Sequence, residues 1–394
     1  MSRARHALAL AVLALLSPAA ALAGPENLTD LANDLQRLQL QIAQGDKAAY
    51  TAQFIQLKTI GAAIATANPE TWKDKSAADS LVIYILSGGS LADVIPILKS
   101  DAIVESERSL ARGALAYVTN HETDAIALLG EVDLNALDAR LAGQVAFARS
   151  VLETKQDPGT ATELLDWSRL LAPGGLVEEA ALRREITLLA EAKDVRRVAM
   201  LTRRYSTRFA ASLYAADFFR ELAGAIARLG LADDPANYQL LSSATATLPP
   251  DGRQDFLLTL AKSAVVYARF DAAAGAATDA LRGARADTPD APRARLYLAA
   301  SRIFSDGYDA ATADLQGLSA SKLDRADANL LAAARRVAAE LRIAPDAAVV
   351  NSQEPSSGDG DKDKADGPAL TIKRAQDALK RTSALAHMHE GGAP

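Results

Sequence analysis

The chain has 394 residues, of which 49% are hydrophobic and only 5% aromatic, and its formal net charge is -6. This length supports a large buried core, while the acidic balance argues against nucleic acid as a partner, because nucleic-acid-binding domains usually carry excess lysine and arginine. Frequent alanine favours closely packed helices over a β fold. The chain has no cysteine, so disulfides play no part in its stability.

Residues 1–23 have the pattern of a secretory signal peptide. Two arginines precede the apolar run Ala7 to Leu16, and Ala21-Leu22-Ala23 has the small-residue pattern of a cleavage site. The run is too short for a permanent anchor, and no other segment approaches the roughly twenty apolar residues of a membrane span. We therefore expect cleavage after Ala23, a mature chain without a membrane span, and a bacterial periplasmic location. An uncleaved anchor is the alternative.

Helical periodicity begins directly after this leader. A first apolar stripe ends before Gly45-Asp46, which is expected to stop one helix and cap the next, and a third helix is predicted from Pro69 to Ser87. Gly88-Gly89 then breaks the chain, with Ser90 as the expected cap of the following helix. The two stripes are Leu31, Leu35, Leu38 and Ile42, then Tyr50, Phe54, Leu57, Ile60 and Ile64.

Beyond this break the helices recur at a spacing typical of helix-turn-helix repeats. Two similar fragments, ARFDAA at 268–273 and DGYDAA at 306–311, each lead from a turn into an aromatic residue followed by small residues. No alternating strand pattern bounded by hairpin turns is found. We predict an all-α chain, an α-solenoid of tetratricopeptide-like repeats over residues 24–345. Its first helices are expected to begin near Ser106, Asp138, Leu176, Ser212, Asp251, Pro289 and Ala326.

The composition changes after the repeats. Residues 346–368 contain NSQEPSSGDGDKDKADG, which has no large apolar side chain and predicts a disordered linker. Residues 369–394 predict a short basic helix or tail. The acidic triplet of the linker, at positions 359, 361 and 363, resembles a calcium loop, but Lys364 stands where such a loop needs glycine.

Few residues are suited to catalysis or metal binding. Motifs for phosphate binding, dinucleotide binding and a serine nucleophile are absent. His121 lies in a predicted turn, and the pair His387 and His389 lies in the tail, too few ligands for a transition-metal site. We expect no catalytic residue, no cofactor and no metal. A helical arm accessory to a cell-wall enzyme and a generic envelope scaffold remain alternative functions.

The central stretch, Pro173 to Asp234, predicts three amphipathic helices. We expect Glu179 and Arg183 to pair one turn apart on the polar side of the first, and Gly230 to close the third in the left-handed conformation. The apolar stripes are Leu182, Ile186 and Leu189; Val198, Leu201, Thr202 and Tyr205; and Phe219, Leu222, Ile226 and Leu229.

The same stretch carries a basic belt in an otherwise acidic chain. Such a belt is suited to an acidic protein surface, peptidoglycan carboxylates or anionic lipid headgroups, and an ordinary solvated face is the alternative. Charge reversal at positions 196, 197, 203 and 204 is expected to weaken partner binding with little change in melting temperature. The candidate partner-binding residues are Arg183, Arg184, Arg196, Arg197, Arg203, Arg204 and Arg208.

Two segments of this stretch resemble the central region of the MotC family, periplasmic flagellar-motor proteins of alphaproteobacteria. They are LVEEAALRREI at Leu176 to Ile186 and RRYSTRFAASLYAADF at Arg203 to Phe218. The resemblance implies a non-enzymatic periplasmic adaptor that binds the cell-wall-binding part of the stator protein MotB, close to peptidoglycan, and supports flagellar rotation. It carries over no functional residue.

Overall fold

Helices form every regular element in the part of the chain that the computed structural model describes, residues 27–285 and 288–343. The all-α prediction is therefore confirmed. The predicted signal peptide, the disordered linker and the C-terminal helix with its two histidines lie outside the described residues.

Eight α-helices make up the N-terminal half of the described chain. The segment that begins at Pro69 forms a separate 3-10 helix, Pro69–Lys73, because Asp74 is extended and its carboxylate caps the next helix at the backbone N of Ser76 (3.0 Å). The predicted continuous helix from Pro69 to Ser87 is therefore wrong. The helices are α1 Leu28–Ala43, α2 Lys47–Thr66, α3 Lys75–Leu86, α4 Leu91–Lys99, α5 Glu105–Val118, α6 Glu122–Gly130, α7 Ala139–Glu153 and α8 Pro158–Leu171.

Nine further α-helices follow within the described residues. Each predicted first helix from α5 onward begins within three residues of its predicted start, and Phe270 and Tyr308 open second helices as the two fragments predict. Gly230 closes α11 at φ +69, also as predicted. The helices are α9 Leu176–Glu191, α10 Val195–Arg208, α11 Ala215–Leu229, α12 Pro235–Ala244, α13 Pro250–Val266, α14 Phe270–Gly283, α15 Asp290–Arg302, α16 Tyr308–Gly317 and α17 Arg325–Ile343.

Local signals set several of these helix starts. The Asp46 carboxylate accepts hydrogen bonds from the backbone N of Ala48 (2.8 Å) and Ala49 (3.1 Å), which satisfies first-turn amides that have no intrahelical partner. Ser90 occupies the predicted cap position of α4 without a side-chain capping bond, and its backbone N donates to the Tyr84 hydroxyl at 2.9 Å instead.

The apolar stripe of α2 is buried over only part of its length. Ile60 and Ile64 are buried, whereas Tyr50 and Phe54 are exposed and contact each other edge to face, with ring centroids 5.3 Å apart. The apolar stripe of α2 thus packs inward in the second half of the helix, while Tyr50 and Phe54 remain at the surface.

The first helices of successive pairs pack on one another, as in a solenoid, and α1 adds a contact across the repeats. It lies against α2, α3 and α9, and Arg140 on α7 donates to the Gln36 side chain on α1 at 3.2 Å. The large apolar side chains form two core clusters, one N-terminal and one running from α9 to α17, and Ala43 at the end of α1 joins the second. The N-terminal hairpin thus ties the two cores together.

The turn between α1 and α2 depends on Gly45. This residue has φ +91, and an added Cβ would lie 2.2 Å from the carbonyl oxygen of Ala211. We expect Gly45→Ala to lower the free energy of unfolding by about 3 kcal/mol, combining backbone strain with a displaced neighbour, as measured by urea denaturation. Gly88→Ala is the matched control, since Gly88 has φ +86 and nothing within 4 Å of an added Cβ. An equal loss in both variants would mean that the contact with Ala211 contributes nothing.

Candidate interaction surface

Three glutamates of α9 are fully buried. Glu178, Glu179 and Glu185 each have 0% of their surface exposed, because α9 is covered by α8 on one side and by α10 and α11 on the other. A buried carboxylate is costly unless charged or hydrogen-bonding partners surround it. The partners of these three glutamates decide which of the predicted arginines are free.

Glu178 binds two of the predicted arginines. Its Oε1 accepts hydrogen bonds from Arg204 Nε (3.1 Å) and Nη2 (2.8 Å), and its Oε2 forms an ion pair with Arg208 Nη2 at 3.0 Å. The backbone N of Gly174 also donates to Oε2, at 2.6 Å. Arg204 and Arg208 therefore neutralise a buried carboxylate of their own chain.

Glu185 is the centre of a second, larger ion-pair network. Its Oε2 accepts from Arg169 Nε at 2.7 Å and its Oε1 from Arg197 Nη2 at 3.0 Å. Asp166 pairs with both arginines, at 3.3 Å from Arg197 Nη2. Burial raises the pKa of Glu185, while Arg169 and Arg197 act in the opposite direction. Arg169, which the sequence did not single out, is only 6% exposed.

Glu179 is held by hydroxyl groups instead of by charge. It accepts hydrogen bonds from Tyr205 Oη at 2.7 Å and Ser212 Oγ at 2.6 Å. The predicted ion pair with Arg183 is not formed, because Glu179 faces the core while the Arg183 guanidinium lies over the Tyr214 ring, 4.9 Å from its centroid. Neighbouring Arg184 donates to Thr154 Oγ1 at 3.0 Å.

The buried position of Glu179 makes stability depend on pH. Burial raises its folded-state pKa above the ordinary value of 4.5, although the bonds from Ser212 and Tyr205 oppose that shift. The folded state then binds the Glu179 proton more tightly than the unfolded state does. The contribution of protonated Glu179 to the free energy of unfolding is therefore lost as pH rises from 4.5 through the folded-state pKa.

The variant Glu179→Gln is expected to remove this dependence, since an amide oxygen accepts the same two hydrogen bonds without a charge. As pH rises, the natural chain should lose stability relative to the variant, so the difference in unfolding free energy, natural chain minus variant, should fall. At neutral pH the variant should be at least as stable as the natural chain. Urea denaturation of both chains at several pH values from 4.5 to neutral measures this difference. A difference that rises with pH would contradict the argument.

Two predicted arginines remain on the outside of the solenoid. Arg196, Met200 and Arg203 lie on one face of α10 at spacings of four and three residues, and Arg203 Nη2 donates to Ser243 Oγ on α12 at 3.2 Å. Met200 is 59% exposed and Leu240, one turn before Ser243, is 41% exposed. Among the described residues, nothing pairs with Arg196. These five residues form a basic and apolar patch that we term the α10–α12 face.

The predicted basic belt is therefore divided by the fold. Arg197, Arg204 and Arg208 pair with buried glutamates, Arg184 donates to Thr154 and Arg183 lies over Tyr214. By contrast, no carboxylate of the described residues pairs with Arg196 or Arg203, and both are exposed. Reversing positions 197 and 204 would place carboxylates beside buried glutamates. The expectation that the fourfold charge reversal spares the melting temperature therefore conflicts with these contacts.

The remaining sequence candidates do not assemble into a site. His121 lies in the turn before α6, as predicted, and its Nδ1 is 2.8 Å from Thr119 Oγ1. Residues 27–285 and 288–343 contain no group of three or more histidine, aspartate or glutamate side chains arranged to hold a metal ion. In the same ranges, no helix combines the length and apolar character that a bilayer crossing requires.

Comparison with known proteins identifies the family. The family described as "Chemotaxis protein MotC" matches residues 1–391. A curated relative, "Chemotaxis protein MotC" of Rhizobium meliloti (strain 1021), is 29% identical over 206 residues, which cover 51% of this chain and 47% of the relative. The chain thus spans about half the length of that relative, and no solved structure matches it. Since the family match covers almost the whole sequence and confirms the resemblance of its central stretch, the chain belongs to the MotC family of chemotaxis proteins.

Proposed function

We propose that this MotC-family chemotaxis protein is a periplasmic adaptor that binds the periplasmic region of the stator component MotB and so supports flagellar rotation. The observation that carries the proposal is the α10–α12 face, in which two exposed arginines flank an exposed methionine and leucine. The α10 part of this face lies within the central stretch, Pro173 to Asp234, two segments of which resemble the family.

The chemistry of the face suits a protein partner. Methionine and arginine are enriched in the cores of protein interfaces, and exposed charges steer encounter with a surface of opposite sign. The whole chain has a net charge of -6, so a local basic patch orients it toward an acidic partner segment. We propose that the contacting part of MotB is acidic and apolar, and that Arg196 and Arg203 are the partner-binding residues of the predicted belt.

The proposed location rests on the leader. Residues 1–23 serve as the signal peptide, residues 24–345 as the binding solenoid, residues 346–368 as a linker and residues 369–394 as a basic tail. A periplasmic solenoid would act beside the peptidoglycan layer, where the proposed partner is anchored. The non-enzymatic role is part of the same proposal.

A motility assay tests both function and location. A strain lacking this protein should fail to swim while still assembling flagella, and the full sequence expressed in trans should restore swimming. The same sequence without residues 1–23 should not restore it, because it would not be exported. Normal swimming of the deletion strain would refute the proposed role, and rescue by the leaderless chain would refute the proposed location.

A binding assay tests the partner. Purified residues 24–394 should associate with the purified periplasmic region of MotB in isothermal titration calorimetry without any third component. Retention of this chain on purified peptidoglycan, together with no heat of binding to MotB, would favour the cell-wall accessory function instead.

A further inference from the structure

The outer side of α2 carries three large apolar side chains. Tyr50, Phe54 and Ile55 are 38%, 50% and 65% exposed. The inward side of the same helix is apolar as well, since Ile60 and Ile64 are buried. A helix that is apolar on both sides usually has apolar surroundings on both, yet the fold covers only the inward side of α2. An exposed group of large apolar side chains marks a contact with a partner or a membrane.

The charged side chains of α2 are all positive. Its 20 residues include Lys47 and Lys58 and no aspartate or glutamate, in a chain whose net charge is -6. Both lysines are exposed and share the side of the helix that carries Phe54, at spacings of seven and four residues. Neither lysine pairs with a carboxylate of the described residues. We term these two lysines, together with Tyr50, Phe54 and Ile55, the α2 face. The other exposed residues of α2 are small and uncharged: Ala48, Thr51, Ala62, Ala65 and Thr66.

Two carboxylates next to α2 have partners within the fold. Asp46 caps the helix and accepts two backbone hydrogen bonds from its first turn, where the helix dipole is positive. Asp93 lies on α4, which packs on α2 beside Gly61, and its carboxylate accepts from the Tyr84 hydroxyl at 2.8 Å. The two lysines therefore set the charge of the exposed side.

We propose that the α2 face contacts the surface of an anionic lipid bilayer. Phe54 and Ile55 enter the boundary between headgroups and acyl chains, and the amphipathic ring of Tyr50 lies at the level of the headgroups. Lys47 and Lys58 extend along the surface and pair with lipid phosphates. Apolar and aromatic side chains flanked by lysines, with no acidic residue on that side, are the composition of helices that lie on membranes. The contact uses no residue of the α10–α12 face, so it does not rest on the proposed function.

Sedimentation of residues 24–394 with lipid vesicles tests the proposal. Vesicles of equal parts phosphatidylcholine and phosphatidylglycerol should bind the chain about tenfold more tightly than vesicles of phosphatidylcholine alone, because each lysine gains attraction only from anionic lipid. Two double variants, Phe54→Ser with Ile55→Ser and Lys47→Gln with Lys58→Gln, should each lose about tenfold in affinity for the anionic vesicles. Their melting temperatures should stay close to that of the natural chain, since all four side chains are exposed.

The matched control removes an exposed apolar pair from another helix. Trp167 and Leu170 on α8 are 44% and 69% exposed, similar to Phe54 and Ile55, so Trp167→Ser with Leu170→Ser should bind vesicles like the natural chain. All of these chains keep the same basic residues of the 369–394 segment. Any attraction between that segment and anionic lipid is therefore equal in each.

Tryptophan emission locates the contact directly. The chain has two tryptophans, and Trp72 is only 1% exposed. Phe54→Trp in a chain that also carries Trp167→Phe therefore places its one exposed indole on the α2 face. Its emission should move to shorter wavelength with anionic vesicles, because the ring leaves water, and should stay constant with phosphatidylcholine vesicles.

Several outcomes would overturn the membrane contact. They are no sedimentation with anionic vesicles, equal sedimentation of the natural chain and Phe54→Ser with Ile55→Ser, and unshifted emission from vesicle-bound Phe54→Trp. Loss of MotB binding in the serine variant, with no vesicle binding by the natural chain, would identify the α2 face as a protein contact instead. Vesicle binding requires no MotB, so failure of the proposed function would leave the expected sedimentation unchanged.

Discussion

Replacing Glu185 with leucine is expected to lower the free energy of unfolding by about 3 to 5 kcal/mol, the usual cost of removing one partner from a buried ion pair. Arg169 is 6% exposed and donates to Glu185 at 2.7 Å. Without that carboxylate its guanidinium would stay buried with only the half-exposed Asp166 as counter-charge. Urea denaturation at neutral pH measures the loss.

Two controls separate this cost from the effect of a new leucine. Glu221→Leu changes an exposed glutamate on α11 that pairs with none of the described residues, and it is expected to alter stability by less than about 0.5 kcal/mol. The double variant Glu185→Leu, Arg169→Met should recover much of the loss, because replacing a buried ion pair with apolar groups is often neutral. If Glu185→Leu cost no more than Glu221→Leu, the network would have no structural role.

Reversing both charges of the α10–α12 face, with Arg196→Glu and Arg203→Glu, is expected to weaken binding of the periplasmic region of MotB by about a hundredfold. Like charges placed opposite one another at an interface cost several kcal/mol, and neither arginine supports a buried carboxylate. The melting temperature of the free chain should stay nearly constant. Calorimetry at two salt concentrations measures binding, and the difference between variants should shrink at high salt.

The matched comparison is Arg204→Glu, a charge reversal at the residue that directly follows Arg203 on the same helix. This variant places a second carboxylate beside buried Glu178, so it should lower the melting temperature of the free chain, with no partner present. Binding that is unchanged by Arg196→Glu with Arg203→Glu would identify the α10–α12 face as an ordinary solvated surface. The fold would stand, and the binding residues would lie elsewhere on the solenoid.

Helix positions could be predicted from the sequence because the signals that specify them are local. Asp46 caps the helix that begins one residue later, Gly230 ends α11 through its own positive φ, and the aromatic residues Phe270 and Tyr308 open their helices directly. Each signal acts within a turn of the residue that carries it. The repeated spacing then predicted a helical solenoid, since an amphipathic helix must bury its apolar stripe on a neighbour.

The candidate site could not be predicted in the same way. Eight basic residues between positions 183 and 208 look alike in sequence, yet Arg204 meets Glu178 from 26 residues away while Arg196 faces outward. Gln36 and Arg140, whose side chains form a hydrogen bond between α1 and α7, are 104 residues apart.

The sequence by itself thus determined the helical class, the repeat starts, the family and the basic character of the central stretch. Only the tertiary structure decided which charges are free, which glutamates are buried and where α1 lies. The physical reason is that helix formation depends on nearest neighbours, whereas the partner of a buried carboxylate or amide is set by packing between helices far apart in the chain.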